Sequence, residues 1–342
     1  MTVPLLVRAC RREPVERTPV WFMRQAGRSF PEYRALRERY DILTLAKTPE
    51  LCAEVTTIPV RRLGVDGAVL FADIILPLEG MGVPFHIEPD VGPIIERPVR
   101  TRADIERIRV LAAEEATPYL FETIRELRRS LPREVALIGF AGAPFTVASY
   151  LVEGRPSRDY AKTKTLVFRE PTLWARLMET LTEVITRYLL AQVAAGVDVV
   201  QLFDSWAGAL APDDYARAAL PYSRRIFDSL RATGVPTIHF GTMTGGFLEL
   251  FASAGSDVVS VDWRIPLDDA WARIGERGIQ GNLDGARLLG GFEVAAEGAR
   301  DVLRRAGGRA GHVFNLGHGV LPETDPDDLA RLTALVHAET ER

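Results

Sequence analysis

Eight short apolar runs punctuate this chain, and a fold for it must bury all of them. They span 20–23, 68–72, 136–140, 198–203, 237–240, 257–262, 278–282 and 312–316. Each is four to six residues long and rich in Val, Ile, Leu or Phe, as buried parallel strands are. Between them lie longer stretches of helical pattern, such as 171–196, 211–234 and 294–308. Several of these end in Gly just past a basic or apolar turn, a common helix C-terminus. Thr324-Asp325-Pro326 reads as an N-cap followed by an early Pro, opening a last helix to about Thr340.

Eight strands alternating with helices predict a single (β/α)8 TIM-type barrel over 1–342. The alternative is a doubly wound open sheet. The strand count favours the barrel, and so does the placement of polar residues. Arg24, Asp73, Gly142, Asp204-Ser205, Gly241, Asp262, Asn282 and His318 stand at or just beyond the ends of successive runs. In a barrel those positions share one mouth, whereas a doubly wound sheet gathers its ligand residues at one switch point. Two connections are long, 24–67 and 74–135. Within the second, 81–99 alternates and is broken by Pro and Gly, which predicts a β-excursion on the rim.

Several chemistries lack their residues. The net charge of -4 argues against nucleic-acid or membrane-surface partners. Lysine occurs only at Lys47, Lys162 and Lys164, none of them after a core run, so a Schiff-base site has no candidate. Cys10 and Cys52 make neither a disulfide framework nor a zinc signature, and fit a cytoplasmic protein. The apolar run near the start is too short for a signal peptide, and no run is long enough for a membrane span. The five histidines form no H-x-H or H-E-x-x-H pattern. "FDSWAG" around Ser205 is not a nucleophile elbow. "FGTMTGGF" at 240–247 is an anion-cradling turn at most, without a nucleotide-loop ending.

The segment "PVWFMRQAGRSFPEYR" at 19–34 is the most pointed. An apolar run passes without a spacer into Arg24, Gln25, two small residues and Arg28. Two forked guanidinium groups at a strand end point to an anionic ligand.

That segment resembles the signature of the uroporphyrinogen decarboxylase family. The resemblance continues in order through "LFADIILP", "GFAGAPFTVASYLVEG", "VVQLFDSWAG", "VDW", "QGNLD" and "FNLGHGVLPETDP". It implies a distorted (β/α)8 barrel, usually homodimeric, working without metal or organic cofactor. It also implies loss of CO2 from the four acetate arms of uroporphyrinogen III, leaving coproporphyrinogen III. Arg24, Gln25, Ala26, Gly27, Arg28, Asp73, Tyr150, Ser205 and His318 would then contact substrate. Asp73, Arg24 and Tyr150 would be catalytic, Asp73 as counter-charge to a transient pyrrole cation. Arg24 would either deliver a proton or position the leaving carboxylate. Tyr33, Phe140 and Phe203 read equally well as core.

The sequence departs from the family pattern at three points. Phe145 stands where a Trp is common, Thr242 where many members have Lys, and Gly285 where a Pro usually follows "GNLD". Two rival functions remain open. One is a zinc-dependent methyltransferase of the same barrel superfamily, although no Cys follows Cys52. The other is a non-catalytic tetrapyrrole binder.

Overall fold

The structure, a computed structural model, describes residues 3–88 and 91–342. Seven strands form one parallel sheet and two form a hairpin outside it. In chain order these are β1 (Gly67–Val69), the hairpin β2 (Phe85–Glu88) and β3 (Gly92–Ile95), β4 (Ala136–Gly142), β5 (Val199–Asp204), β6 (Thr237–Gly241), β7 (Val258–Ser260), β8 (Gly278–Gln280) and β9 (His312–Val313). The sheet order is β1-β4-β5-β6-β7-β8-β9. It follows the chain without reversal, so there is no switch point and the doubly wound alternative falls. Every residue of these seven strands is buried, because the sheet curls around its own side chains and helices cover its outer face. That is why the runs are apolar throughout rather than alternating.

The run 20–23 is the exception to the predicted strands. It makes a single parallel bridge, Val20 to Phe314. Phe314 N donates to Pro19 O at 2.9 Å on one side, and Asp66 N to Val20 O at 2.8 Å on the other. Side chains take the place of a longer ladder. Val20 N donates to Asp66 Oδ2 at 2.8 Å, Phe22 N to Gln25 Oε1 at 2.9 Å and Met23 N to Asn315 Oδ1 at 3.1 Å. Asp66 also pairs with Arg17 at 2.9 Å and with His337, on the helix Pro326–Thr340, at 2.7 Å. One carboxylate thus ties this run to the last helix.

The connection 24–67 holds three helices, Pro31–Arg39, Ile42–Lys47 and Pro49–Leu63. The predicted β-excursion is the antiparallel hairpin β2–β3; its Pro89 and Asp90 lie outside the described residues. The stretch 211–234 is two helices, Pro212–Ala218 and Leu220–Arg231. They part at Ala219 because Pro221 has no N–H to continue the ladder. Asp325 caps the last helix by accepting from Asp327 N. No helix among the described residues is long and apolar enough to cross a membrane.

Candidate active site

A cavity of about 500 Å³ opens where the sheet strands end. Arg24, Ala26, Gly27 and Arg28 line it from the segment after 20–23, and Asp73 from beyond β1. Tyr150 enters from the helix after β4, Ser205 from beyond β5 and His318 from beyond β9. Residues far apart in sequence therefore face one space. Gln25 does not line it. Its side chain is fully buried and spans backbone, accepting from Phe22 N and donating to Gly67 O at 2.8 Å.

Gln25 shapes the turn that presents Arg24. Gln25 N donates to Phe22 O at 3.0 Å, and Arg24 between them has φ 59°. A side-chain-bearing residue in that left-handed region costs roughly 1–2 kcal/mol, so the surroundings must hold it there. Gln25 Oε1, Asn315 Oδ1 and the bond from Val320 N to Met23 O (2.9 Å) do so. Gly27 lets the turn close: a Cβ there would stand 3.1 Å from Arg24 O. The stem of Arg24 runs across Gly319.

Asp73 caps its own turn, accepting from Ile75 N at 3.1 Å. Burial pushes its carboxyl up from the ordinary aspartate range. The backbone N–H of Ile75, the charge of Arg24 and the N–H of Ile74 oppose that shift without cancelling it. A carboxylate short of solvation gains from any cation or N–H donor brought to it. Burial first, and the Asp73 charge second, lift the Tyr150 hydroxyl far above its usual value, so it stays a protonated donor.

His318 is held down to about 4, by burial first and then by the Arg24 charge. The ring is neutral near pH 7. Its Nδ1 accepts from Gly319 N at 2.7 Å, which leaves the proton on Nε2. Ser205 sits in a pinned segment. Thr242 Oγ1 donates to Ser205 O at 2.7 Å, Thr146 Oγ1 to Asp204 Oδ1 at 3.1 Å, and Trp206 N to Thr146 Oγ1 at 3.4 Å.

The walls are largely apolar and aromatic. Phe140 and Phe203 meet edge to face at 5.3 Å and both line the cavity, as does Tyr33, packed on Phe71 at 5.7 Å. Sequence reasoning missed Trp206, whose ring packs against Tyr150 at 4.2 Å, tilted by 37°, and the hairpin residues Ile87 and Pro93. The adjacency of Trp206 to Ser205 was the available signal; nothing in the hairpin's sequence marked it as a wall. The arrangement can hold a polyanion by two guanidinium groups and place a needy carboxylate against a cation, in a space of low polarity.

Among the described residues no three His, Cys, Asp or Glu side chains gather to hold a metal ion. His312 lies at the opposite end of the sheet, and both cysteines are buried and free.

The model of the family uroporphyrinogen decarboxylase (URO-D) matches residues 1–339. The chain belongs to the uroporphyrinogen decarboxylase family. Curated members agree with that assignment along nearly their whole length. The uroporphyrinogen decarboxylase of Sorangium cellulosum is 56% identical over 333 residues, covering 97% of this chain and 95% of the relative. That of Thermus thermophilus is 52% identical over 332 residues, covering 97% of each. Among solved structures, a methyltransferase from Methanosarcina mazei superposes with a TM-score of 0.81 at 21% identity, over 99% of both chains. A B12-independent methionine synthase from Shewanella sp. W3-18-1 gives 0.56 at 12%, over 85% of this chain and 86% of the other. At such identities these two report the fold alone.

Two departures from the URO-D pattern now have structural accounts. Phe145 is fully buried and meets Trp174 edge to face at 6.0 Å, so an aromatic still fills that place. Thr242 brings no cation, but its hydroxyl ties β6 to the Ser205 carbonyl.

Proposed function

We propose that this chain decarboxylates the four acetate arms of uroporphyrinogen III to give coproporphyrinogen III, a step of haem biosynthesis, without metal or organic cofactor. The carrying observation is the convergence of Arg24, Arg28, Asp73, Tyr150, Ser205 and His318 on one cavity in a chain of this family.

Arg24 and Arg28 grip substrate carboxylates as forked donors. A guanidinium, always charged in proteins, is a poor acid, so Arg24 is assigned to holding the departing carboxylate rather than to giving a proton. Protonation of a pyrrole ring carbon makes a ring cation. The electrons of the C–CO2⁻ bond flow into it, CO2 leaves, and a second proton turns the exocyclic carbon into a methyl group. The ring carbon then gives up the first proton to restore the neutral pyrrole, so one proton is consumed for each CO2 released. Asp73 accepts from the pyrrole N–H groups and balances the cation in a site that screens charge weakly. Tyr150, whose hydroxyl stays protonated beside the Asp73 charge, supports that carboxylate. Ser205 and His318, the latter through Nε2–H, donate to substrate arms.

In the same reading 1–342 is one domain. The run 20–23 is the eighth stave closing the curled sheet into a (β/α)8 barrel, a view supported by its backbone hydrogen bonds to both flanks. The protein is cytoplasmic and homodimeric, with barrel mouths facing. Met243 and Trp263, after β6 and β7, are large apolar side chains exposed at 49% and 37% on that end.

The test is anaerobic incubation with uroporphyrinogen III and no added cofactor, followed by oxidation and separation of the porphyrins by carboxylate number. Products running from eight carboxylates to four support the reading. Tight binding without turnover would leave a tetrapyrrole binder. Stoichiometric bound zinc with no loss of carboxylates would favour the methyltransferase branch.

A further inference from the structure

Behind the Ser205–Trp206 wall lies an acidic side chain that the decarboxylation scheme does not use. Asp204 ends β5 and is fully buried. Its Oδ1 is taken by the Thr146 hydroxyl, but Oδ2 has no hydrogen-bond partner among the described residues. His239 Nε2 stands 3.7 Å from it. His239, on β6, is also fully buried, and neither ring nitrogen has a partner among the described residues. An imidazole always carries at least one N–H. A dry N–H and a dry carboxylate oxygen facing each other are complementary unmet needs. The ring's plane is fixed by a stack on Phe251 at 3.8 Å and an edge contact with Phe227 at 5.0 Å. Tyr215 packs on the same Phe251 at 5.8 Å and closes the space with another unpartnered hydroxyl.

We propose that His239 Nε2–H donates to Asp204 Oδ2, and that this buried pair positions the Ser205–Trp206 segment of the substrate wall. The proposal rests on the decarboxylase reading only for its kinetic consequence. Gripped from behind, the carboxylate presents Oδ1 to Thr146. The Thr146 hydroxyl gives its one hydrogen to Asp204 and so offers its lone pairs to Trp206 N. Thr242 fixes the Ser205 carbonyl between them. The Trp206 ring is thereby set against Tyr150. Both His239 and Asp204 are positioning residues, since neither lines the cavity.

Two variants separate hydrogen bonding from packing. His239→Phe keeps the ring on Phe251 and removes the donor, whereas His239→Gln keeps a donor. Hydrogen exchange at the Trp206 amide reads the positioning directly, and KM for uroporphyrinogen III reads its effect on binding. In His239→Phe, exchange should quicken and KM rise, each on the order of tenfold, with kcat changed far less. His239→Gln should restore both. Unchanged exchange in His239→Phe, or equal damage in both variants, would overturn the proposal. If His239→Phe does not fold, the His239 tautomer in the unaltered protein, read from its 15N shifts, decides: a protonated Nε2 supports the pair, and a proton on Nδ1 alone overturns it. Absence of turnover by the unaltered protein would sink the decarboxylase reading while the Trp206 exchange still decides the pair.

Discussion

The stem of Arg24 lies directly on Gly319: a Cβ added to that glycine would stand 2.6 Å from Arg24 Cδ and 2.9 Å from Cγ. Both are atoms of the inner stem, so the guanidinium cannot keep its place while the stem swings aside. Gly319→Ala should therefore lower kcat/KM by about ten- to a hundredfold, since a displacement near 1 Å at a reacting group has that effect. Steady-state kinetics beside thermal unfolding would check it; a large loss of Tm with normal kinetics would contradict it. Arg24→Lys should fail as well, because a point charge replaces a fork.

Asp73→Asn keeps shape and removes charge. Binding of uroporphyrinogen should persist, and kcat should fall by at least about a hundredfold, the usual effect of losing one preorganised electrostatic contact. Equilibrium binding and turnover measured on the same preparation would separate the two. Near-normal kcat would remove Asp73 from cation stabilisation.

Gln25 makes no contact with the cavity, yet its substitution should damage the site. Gln25→Leu leaves Phe22 N and Gly67 O without their partners, at a cost of about 1–3 kcal/mol for each buried group stranded. The left-handed turn at Arg24 loses its main support. Urea unfolding should show the stability loss, and substrate binding should weaken with it. A destabilised variant with normal binding would show that the turn persists without Gln25.

Acid sensitivity should begin above the carboxylate range. Burial holds both His312 and His318 down to about 4 in the folded protein, against an ordinary value of 6.5. Above pH 6.5 both states are neutral at these positions and stability does not change through them. Between pH 6.5 and about 4 the unfolded chain binds protons that the folded chain refuses, so stability falls as pH falls. Each histidine contributes a slope on the order of 1.4 kcal/mol per pH unit. Urea midpoints at pH 7, 6 and 5 would reveal the slope, and His312→Asn should reduce it. Activity should show no inflection near pH 6.5 from His318, which is neutral on both sides of it.

The sequence carried the periodic part of this molecule well. Seven of the eight apolar runs are sheet strands, because a strand buried on both faces must be apolar at every position. The eighth, 20–23, is equally apolar but pairs only at Val20, since side chains of Asp66, Gln25 and Asn315 take its N–H groups. No spacing rule announces that substitution. At the cavity, Arg24, Asp73, Ser205 and His318 were legible as residues just past strand ends, but Gly142, Asp204, Gly241, Asp262 and Asn282, at equivalent places, do not line it. Gln25 was not legible: its direction depends on a left-handed turn at Arg24, an unusual place for an arginine. His239 and Thr242 were opaque for a related reason. Each acts on its neighbours through one polar contact across the sheet, and such contacts leave no period in the chain.

The seam of the sheet joins segments far apart in sequence. Val20 and Arg24 come early, while Phe314, Gly319 and His337, which meet or brace them, come late. On the ribosome, the arginine segment emerges long before its supports exist. A nascent chain paused in its middle lacks the surface on which Arg24 rests and cannot assemble the anion grip. Support for Arg24 therefore waits until the segment carrying Phe314, Gly319 and His337 has been made.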